Sequence, residues 1–555
     1  MSPPVEPKRA RTRDWCGERA QGYHAIAARR QIDPRARGAS YDPGADVRVE
    51  VPGLPGSSDQ RMWRDGWLWG AILAGAILRF ARLGGASLWL DEAISARMAS
   101  LPPAEVIAGV AKDLHPPGYY LLLRFWSLPW PVNDAGLPAE WTIRSLSAVA
   151  SILTLPLAYW IGSAWDDRPS RRSLVARWAV WIAAASPFAI SLARQARPYA
   201  LLSLVLAAQL ALWTRLRKRG GGWPSWTAMA ILLILGNYIH YHAALFALAL
   251  TIGTLASRQA APGLFPRWGS ALLVAGLFTL PMLPRIAAQA GDGVRSWVGF
   301  SHSPFVILRT VAAFFRGHDP GSVELSLWTI PVAVLVFRGA RRGGGILAAC
   351  LIVPLAVAYF ASLKVNIFRA VYFGGSGLVA WVLAARGIAS GTPDGARIGR
   401  AAAGLVAIAM IVGVVGGTMP RTERDEPWRE LVAEMEASLP PGTPVLFSFE
   451  TTLAPFDYYA ATGHLRGTGA LGRDGRGEVI VAPGLGGVVA GSDRIWVVPY
   501  QERLYDPHEA LRSWLARNRF DAWREIRVGA LRAIEHHRVR SAGGPGIPAQ
   551  AAGRR

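Results

Sequence analysis

Apolar runs of about 17–25 residues recur along this chain, each long enough to cross a hydrocarbon layer of about 30 Å as a helix. Inside such a layer every backbone polar group must find its partner within the chain, so repeated runs predict a bundle of helices. Eleven are legible, at roughly 66–84, 144–163, 174–191, 198–214, 225–242, 243–257, 269–285, 324–338, 345–361, 370–386 and 399–418. Composition settles the competing reading of several soluble domains. Only 18% of the 555 residues are charged and 51% are hydrophobic, whereas soluble domains carry about 25% charge. Tryptophans such as Trp67, Trp181, Trp213 and Trp226 stand near run ends, where interfacial belts favour them.

The basic residues set the orientation. Arg168, Arg171, Arg172 and Arg177 share one loop, and Arg215, Arg217, Lys218 and Arg219 the next on the same side. Arg258 with Arg267, then Arg338, Arg341 and Arg342, then Arg386, Arg397 and Arg400 continue the alternation. By the positive-inside rule this side is cytoplasmic. The outer side then receives 85–143, 192–197, the 239–243 turn, 286–323, 362–369 and everything after 419. The formal charge of +22 reads as topology signalling and contact with anionic headgroups, not nucleic-acid binding. Localisation in a cytoplasmic (inner) membrane follows.

Other segments are shorter or polar. Residues 1–65 read as a disordered cytoplasmic tail without the apolar core of a signal peptide, and Met62 before the first run offers an alternative start. The stretch PGYYLLLRFWSLPW at 117–130 is too short to cross and predicts a helix lying in the outer interface. The 286–323 segment, with Phe305, Phe314 and Phe315, is expected to lie against the membrane similarly. Residues 420–540 change character, with helix patterns at WRELVAEMEASL, 455–461 and 507–518 and strand patterns at TPVLFSF, RIWVVPY and 523–535. They predict a small extracytoplasmic α/β domain, followed by a disordered tail at 541–555. The expected architecture is therefore mainly α, a polytopic bundle of about eleven spans in 66–419, with outer interfacial helices and this domain.

Chemically loaded residues gather on the outer side. In SLWLDEAISARM, Asp91 and Glu92 are adjacent carboxylates; acids at a helix start complement its dipole, and a carboxylate at the bilayer surface can also act as general base. In KDLHPPGYY, Asp113 and His115 precede two prolines that fix a helix junction. Arg194, Arg197 and Tyr199 in LARQARPYALL, and Lys364, Arg369 and Tyr372 in SLKVNIFRAVYF, place cations where the charge rule disfavours them. Snorkelling to headgroups is one explanation and binding of a lipid phosphate another. His240 and Tyr241 sit in the turn NYIHYHA. His115 and His240 with a carboxylate would suit a divalent metal, although each also reads as a hydrogen-bonding residue. No other cofactor is indicated.

These motifs resemble the bacterial branch of the family C membrane glycosyltransferases, related to the protein O-mannosyltransferases and the aminoarabinose transferase of lipid A (family 39). The matching segments are LWLDEAISA, HPPGYYLLL, WTIRSLSAVASILTLPLAYWIG, RQARPYALL, YIHYHAALF and FRAVYFGGSGL, in the family's order from about 66 to 386. WRELVAEMEASLPPGTPVLF resembles the outer domain of relatives. The resemblance implies a polyprenyl-phosphate sugar donor, inverting transfer, and an essential acid at Asp91, followed by Glu92. His115 matches the histidine of the protein mannosyltransferases, where the aminoarabinose transferase has lysine. Ile94 stands where that transferase has arginine, a departure that argues against a lipid A role. The expected function is a glycosyltransferase of the cell envelope whose active site faces outward, its acceptor a glycan, lipid or protein. A flippase or secondary transporter, or a lipid-binding scaffold without catalysis, are the rivals. A transporter would place ionisable groups near mid-membrane and show repeated halves, and neither is visible here.

Overall fold

The computed structural model describes residues 61–110, 115–166, 168–257, 261–291, 302–317, 328–341, 343–390, 393–415, 426–460, 464–474, 478–502, 506 and 508–539. The expected disordered tails lie outside these residues, apart from 61–65, as does Asp113. In chain order the helices are α1 (Gly66–Phe80), α2 (Leu90–Ser100), α3 (Pro103–Val110), α4 (Gly118–Ser127), α5 (Glu140–Ala164), α6 (Pro169–Ala185), α7 (Pro187–Ala193), α8 (Tyr199–Arg219), α9 (Trp223–Ile239) and α10 (Ala243–Leu255). They continue with α11 (Leu264–Thr279), α12 (Leu283–Gly291), α13 (Phe305–Arg316), α14 (Thr329–Ala340), α15 (Gly345–Ser362), α16 (Gly374–Ala389) and α17 (Pro393–Gly413). Each expected span falls on one of these helices or on a consecutive pair. By length and composition, five helical stretches among the described residues are able to cross a membrane, α11 and α12 counting as one, or six with the bent pair α6–α7. Leu73, Ile77, Leu273, Phe278, Phe337 and Phe360 remain exposed on helix flanks, as lipid-facing positions must.

The run at 174–191 is not one straight span. It breaks at Ser186 with a bend of 54° between α6 and α7. Pro187 has no N–H for the carbonyl of Ala183, and that carbonyl must be satisfied otherwise. Arg79, fully buried near the end of α1, donates Nη2 to it at 3.1 Å and Nη1 to Ala184 O at 2.9 Å. Its Nε reaches Ser151 Oγ at 2.8 Å. The second departure is α13, whose Phe314 and Phe315 are fully buried instead of meeting lipid. Ser186 Oγ and Trp381 Nε1 both donate to Phe314 O, at 2.8 and 2.9 Å, so α13 is bonded into the bundle beside the break. Helices α14 and α16 pack backbone to backbone, because Gly339 lies on Leu383 and Gly387 on Leu335 where a Cβ would collide with a carbonyl.

The C-terminal residues form a six-stranded sheet of β1 (Thr443–Phe449), β2 (Leu465–Arg473), β3 (Val479–Val481), β4 (Arg494–Val498), β5 (Phe520–Val528) and β6 (Leu531–Arg538), ordered β3-β2-β1-β4-β6-β5. Strand β1 runs parallel to β2 and β4, and the other pairs are antiparallel. One face, with Val445, Phe447 and Trp496, packs on α18 (Trp428–Ser438) and α19 (Ala454–Tyr459). The other, with Leu446, Ile495 and Val497, packs on α20 (Leu485–Val488) and α21 (Ala510–Arg517). The strand pattern near 523–535 is in fact the hairpin β5–β6, turning at Gly529 with φ +55°.

This module is seated on the loop that precedes α2. Leu88 N–H donates to Tyr459 OH at 2.7 Å, and that hydroxyl donates in turn to Glu140. Arg429 pairs with Glu140, and Ser87 Oγ donates to Glu430 at 2.9 Å. Asn133 Nδ2 donates to Tyr458 O at 3.1 Å, and Tyr458 OH to Pro138 O at 2.9 Å. Burial first, then the Glu140 charge, push the Tyr459 phenol well above its usual range, so it stays a neutral donor.

Candidate functional site

Five segments far apart in sequence meet at one end of the bundle. Asp91 is the second residue of α2, and His115 directly precedes the Pro116-Pro117 junction that opens α4. Arg197 precedes Pro198, and Tyr199 is the first residue of α8. His240 and His242 occupy the short turn between α9 and α10, and Tyr372 follows the 362–369 connection.

Arg197 is the hub. Its side chain is buried, and Nη2 lies 3.6 Å from Asp91 Oδ2. Nη1 donates to Tyr120 OH at 3.2 Å and to Asp91 O at 3.4 Å. Nη2 approaches both ring nitrogens of His115, at 3.3 and 3.5 Å. A guanidinium cannot accept a hydrogen bond, so the imidazole nitrogen it engages must be the accepting one. The guanidinium also lies 5.9 Å from the centre of the Tyr199 ring. His240 links the remaining rings, 5.5 Å from His115, 6.1 Å from Tyr199 and 4.5 Å from Tyr372. His242 N–H donates to His240 Nδ1 at 3.2 Å, and His242 Nε2 donates to Ile367 O at 3.0 Å. Together these bonds tie the turn to the 362–369 connection.

The two adjacent carboxylates occupy opposite surroundings. The Asp91 side chain keeps 36% of its surface exposed, whereas that of Glu92 keeps 1%. Glu92 accepts Arg144 Nε at 2.9 Å, Arg144 Nη2 at 2.6 Å and Ala196 N–H at 2.9 Å. Arg144 also donates to the carbonyls of Leu83, Ala86 and Ser87. Glu92 and Arg144 therefore staple the loop before α2 to the turn that carries Arg197. Sequence reasoning passed over Arg144 and Tyr120. Arg144 breaks the charge rule on the same side as Arg197, a signal that could have found it.

The other cations expected on the outer side separate. Arg194 donates to Ala81 O at 2.5 Å, Arg82 O at 3.2 Å and Leu78 O at 3.4 Å, closing the carbonyl end of α1. Lys364 is exposed and Arg369 half-buried, and neither has an ion-pair partner among the described residues. Tyr241 is half-buried in its turn. Among the described residues no group of three or more His, Cys, Asp or Glu is placed to hold a metal ion. With a guanidinium 3.3 Å from His115, a second cation there would meet like charge.

No protein-family model matches the chain, and no curated protein does. Solved structures do match. ArnT from Cupriavidus metallidurans bound to undecaprenyl phosphate aligns over 87% of this chain and 99% of its own, with 14% identity and a TM-score of 0.55. The chain is similar in fold to ArnT. The apo state of the same protein aligns over the same shares, with 13% identity and a TM-score of 0.55. The oligosaccharyltransferase AglB from Archaeoglobus fulgidus, complexed with an inhibitory peptide and a dolichol-phosphate, covers 86% of this chain and 74% of its own at 11% identity and a TM-score of 0.46. The ArnT alignment takes in nearly the whole ArnT chain, and with it the fold of a multi-pass membrane protein.

Proposed function

We propose that the chain is a membrane glycosyltransferase of the family C type. It takes a sugar from a polyprenyl-phosphate donor and passes it, with inversion, to an acceptor at the outer face of the cytoplasmic membrane. The observation that carries this reading is the Arg197-centred cluster of Asp91, His115, Tyr120, Tyr199, His240 and Tyr372 at one end of the bundle. The fold shared with ArnT, whose structure holds undecaprenyl phosphate, supports it.

In this reaction Asp91 takes the proton of the acceptor hydroxyl as the oxygen attacks the anomeric carbon. The bond from that carbon to the phosphate oxygen breaks, and polyprenyl phosphate leaves with the electron pair. Arg197 holds the Asp91 carboxylate, and Arg369 with Lys364 meets the charge that grows on the phosphate. Glu92, saturated by Arg144 and Ala196 N–H, positions this machinery without touching the reacting atoms. Arg194 serves α1 and not the donor. Protein O-mannosyl transfer is the variant that His115 and Ile94 favour over aminoarabinose transfer. The 420–540 module then stands outside the cell with the acceptor.

The test is mass spectrometry of envelope glycans in a deletion strain restored with wild type or Asp91→Asn, with undecaprenyl phosphate binding measured on the purified proteins. Asp91→Asn should lower transfer by about 10²–10⁴-fold, the range for loss of a general base, with lipid binding near normal. Full restoration by both Asp91→Asn and Glu92→Gln would sink the reading.

A further inference from the structure

Strand β5 is one of the two edges of the sheet, and its pairing with β6 shifts register between Ala522 and Arg524. The extra residue is Trp523. A bulge of this kind re-aims a side chain, and Trp523 is left 71% exposed. Its ring nevertheless has a fixed orientation, stacked on His537 at 4.9 Å with an interplanar angle of 10°.

His537 is anchored in turn. Its Nε2 meets Glu535 Oε1 at 2.8 Å, and Arg524 Nε donates to Glu535 Oε2 at 2.5 Å. Arg524 also covers Trp496 at 5.2 Å. Glu535 is buried, and burial pushes its carboxyl up. The hydrogen bonds from His537 and Arg524 outweigh this and hold it below its usual range, so Glu535 is a carboxylate at neutral pH. The arrangement is a rigid aromatic plate backed by a satisfied polar network.

We propose that this plate binds a neutral oligosaccharide. An indole face carries negative quadrupole density, and the C–H face of a pyranose presents weakly positive hydrogens to it. The charges around the plate pair one to one, Arg524 with Glu535 and Arg527 with Glu525, while His537 meets the same Glu535 carboxylate. Neither an anion nor a cation is therefore the matching ligand, while a polyhydroxylated neutral one finds donors and acceptors. Exposed Asp521, Arg524 and Glu525 beside the indole make burial in lipid costly. Arg524 and Glu535 continue the row of Val445 and Trp496 across the sheet, the face that packs on α18 and α19. The plate thus lies on the side of the module that meets the loop before α2. Its use as an acceptor-glycan holder rests on the transfer reading; its existence as a binding site does not.

The experiment uses the full chain in nanodiscs on an array of hexasaccharides of glucose, mannose, galactose and N-acetylglucosamine. Wild type should bind at least one of them, Trp523→Ala should lose about tenfold or more, and Trp523→Phe should retain most of the binding. Undecaprenyl phosphate binding, measured on the same samples, should be unchanged in both variants. No binding to any hexasaccharide, or equal binding by wild type and Trp523→Ala, would overturn the proposal. So would a Trp523-dependent attachment to phospholipid vesicles without sugar binding. Failure of lipid-phosphate binding in wild type, with sugar binding intact, would instead remove the transferase reading and leave the plate standing.

Discussion

Two turns expected to lie on the outer side carry cations, and they use them differently. In the 192–197 turn both guanidinium groups are engaged by the protein, Arg194 by three carbonyls and Arg197 by Asp91, Tyr120 and His115. In the 362–369 connection Arg369 and Lys364 carry charge with no ion-pair partner among the described residues. The first turn is framework whose charge is fixed before any ligand arrives. The second has charge to offer an anion.

The contrast is tested most severely at Arg144. Arg144→Ala leaves Glu92 buried without its partner, a change that costs about 3–5 kcal/mol. Thermal unfolding in detergent should show the largest loss of any variant here, and an unchanged midpoint would mean that the 192–197 turn needs no staple. Next comes the pair Arg197→Ala and Arg369→Ala. Each should weaken undecaprenyl phosphate binding about 10–100-fold, the equivalent of a hydrogen bond to a charged group. Only Arg197→Ala should also lower the unfolding midpoint. Equal midpoints in the two variants would erase the distinction between framework and open charge. Arg194→Ala should reduce stability by about 0.5–2 kcal/mol through the exposed end of α1, with lipid binding intact. A binding loss matching that of Arg369→Ala would return Arg194 to the donor site. The smallest effect belongs to Lys364→Ala, about 1 kcal/mol or less because the side chain is exposed, and it should vanish at high salt.

Helices were the most legible part of the chain, because an apolar run of fixed length has few alternatives in lipid. What escaped reading depends on partners distant in sequence. Nothing local marks Glu92 as the mate of Arg144, 52 residues away. The bend at Ser186 was signalled by Pro187, but its tolerance depends on Arg79, 104 residues from Ala183. Strand β2 was missed because LRGTGALGR looks like a loop. Two of its three glycines meet close neighbours, Gly467 against Leu453 and Phe456 and Gly469 against the backbone of Glu450. At the site, the segments were visible one by one, and Asp91, His115, Arg197, Tyr199, His240 and Tyr372 do meet. That Arg194 faces elsewhere could not be read, since it and Arg197 differ only in which way a seven-residue helix, α7, delivers them.

The bond between Leu88 N–H and Tyr459 OH spans 371 residues. A chain made from its N-terminus inserts its early helices long before Tyr459 exists, so the stretch leading into α2 is first held by the Arg144 staple and gains the Tyr459 bond only later. Assembly of the Asp91 end is therefore vectorial, with this second fastening added only after α19 has been made. A product stalled before Tyr459 would keep its membrane helices and the Arg144 staple but lack this second fastening of the stretch before Asp91.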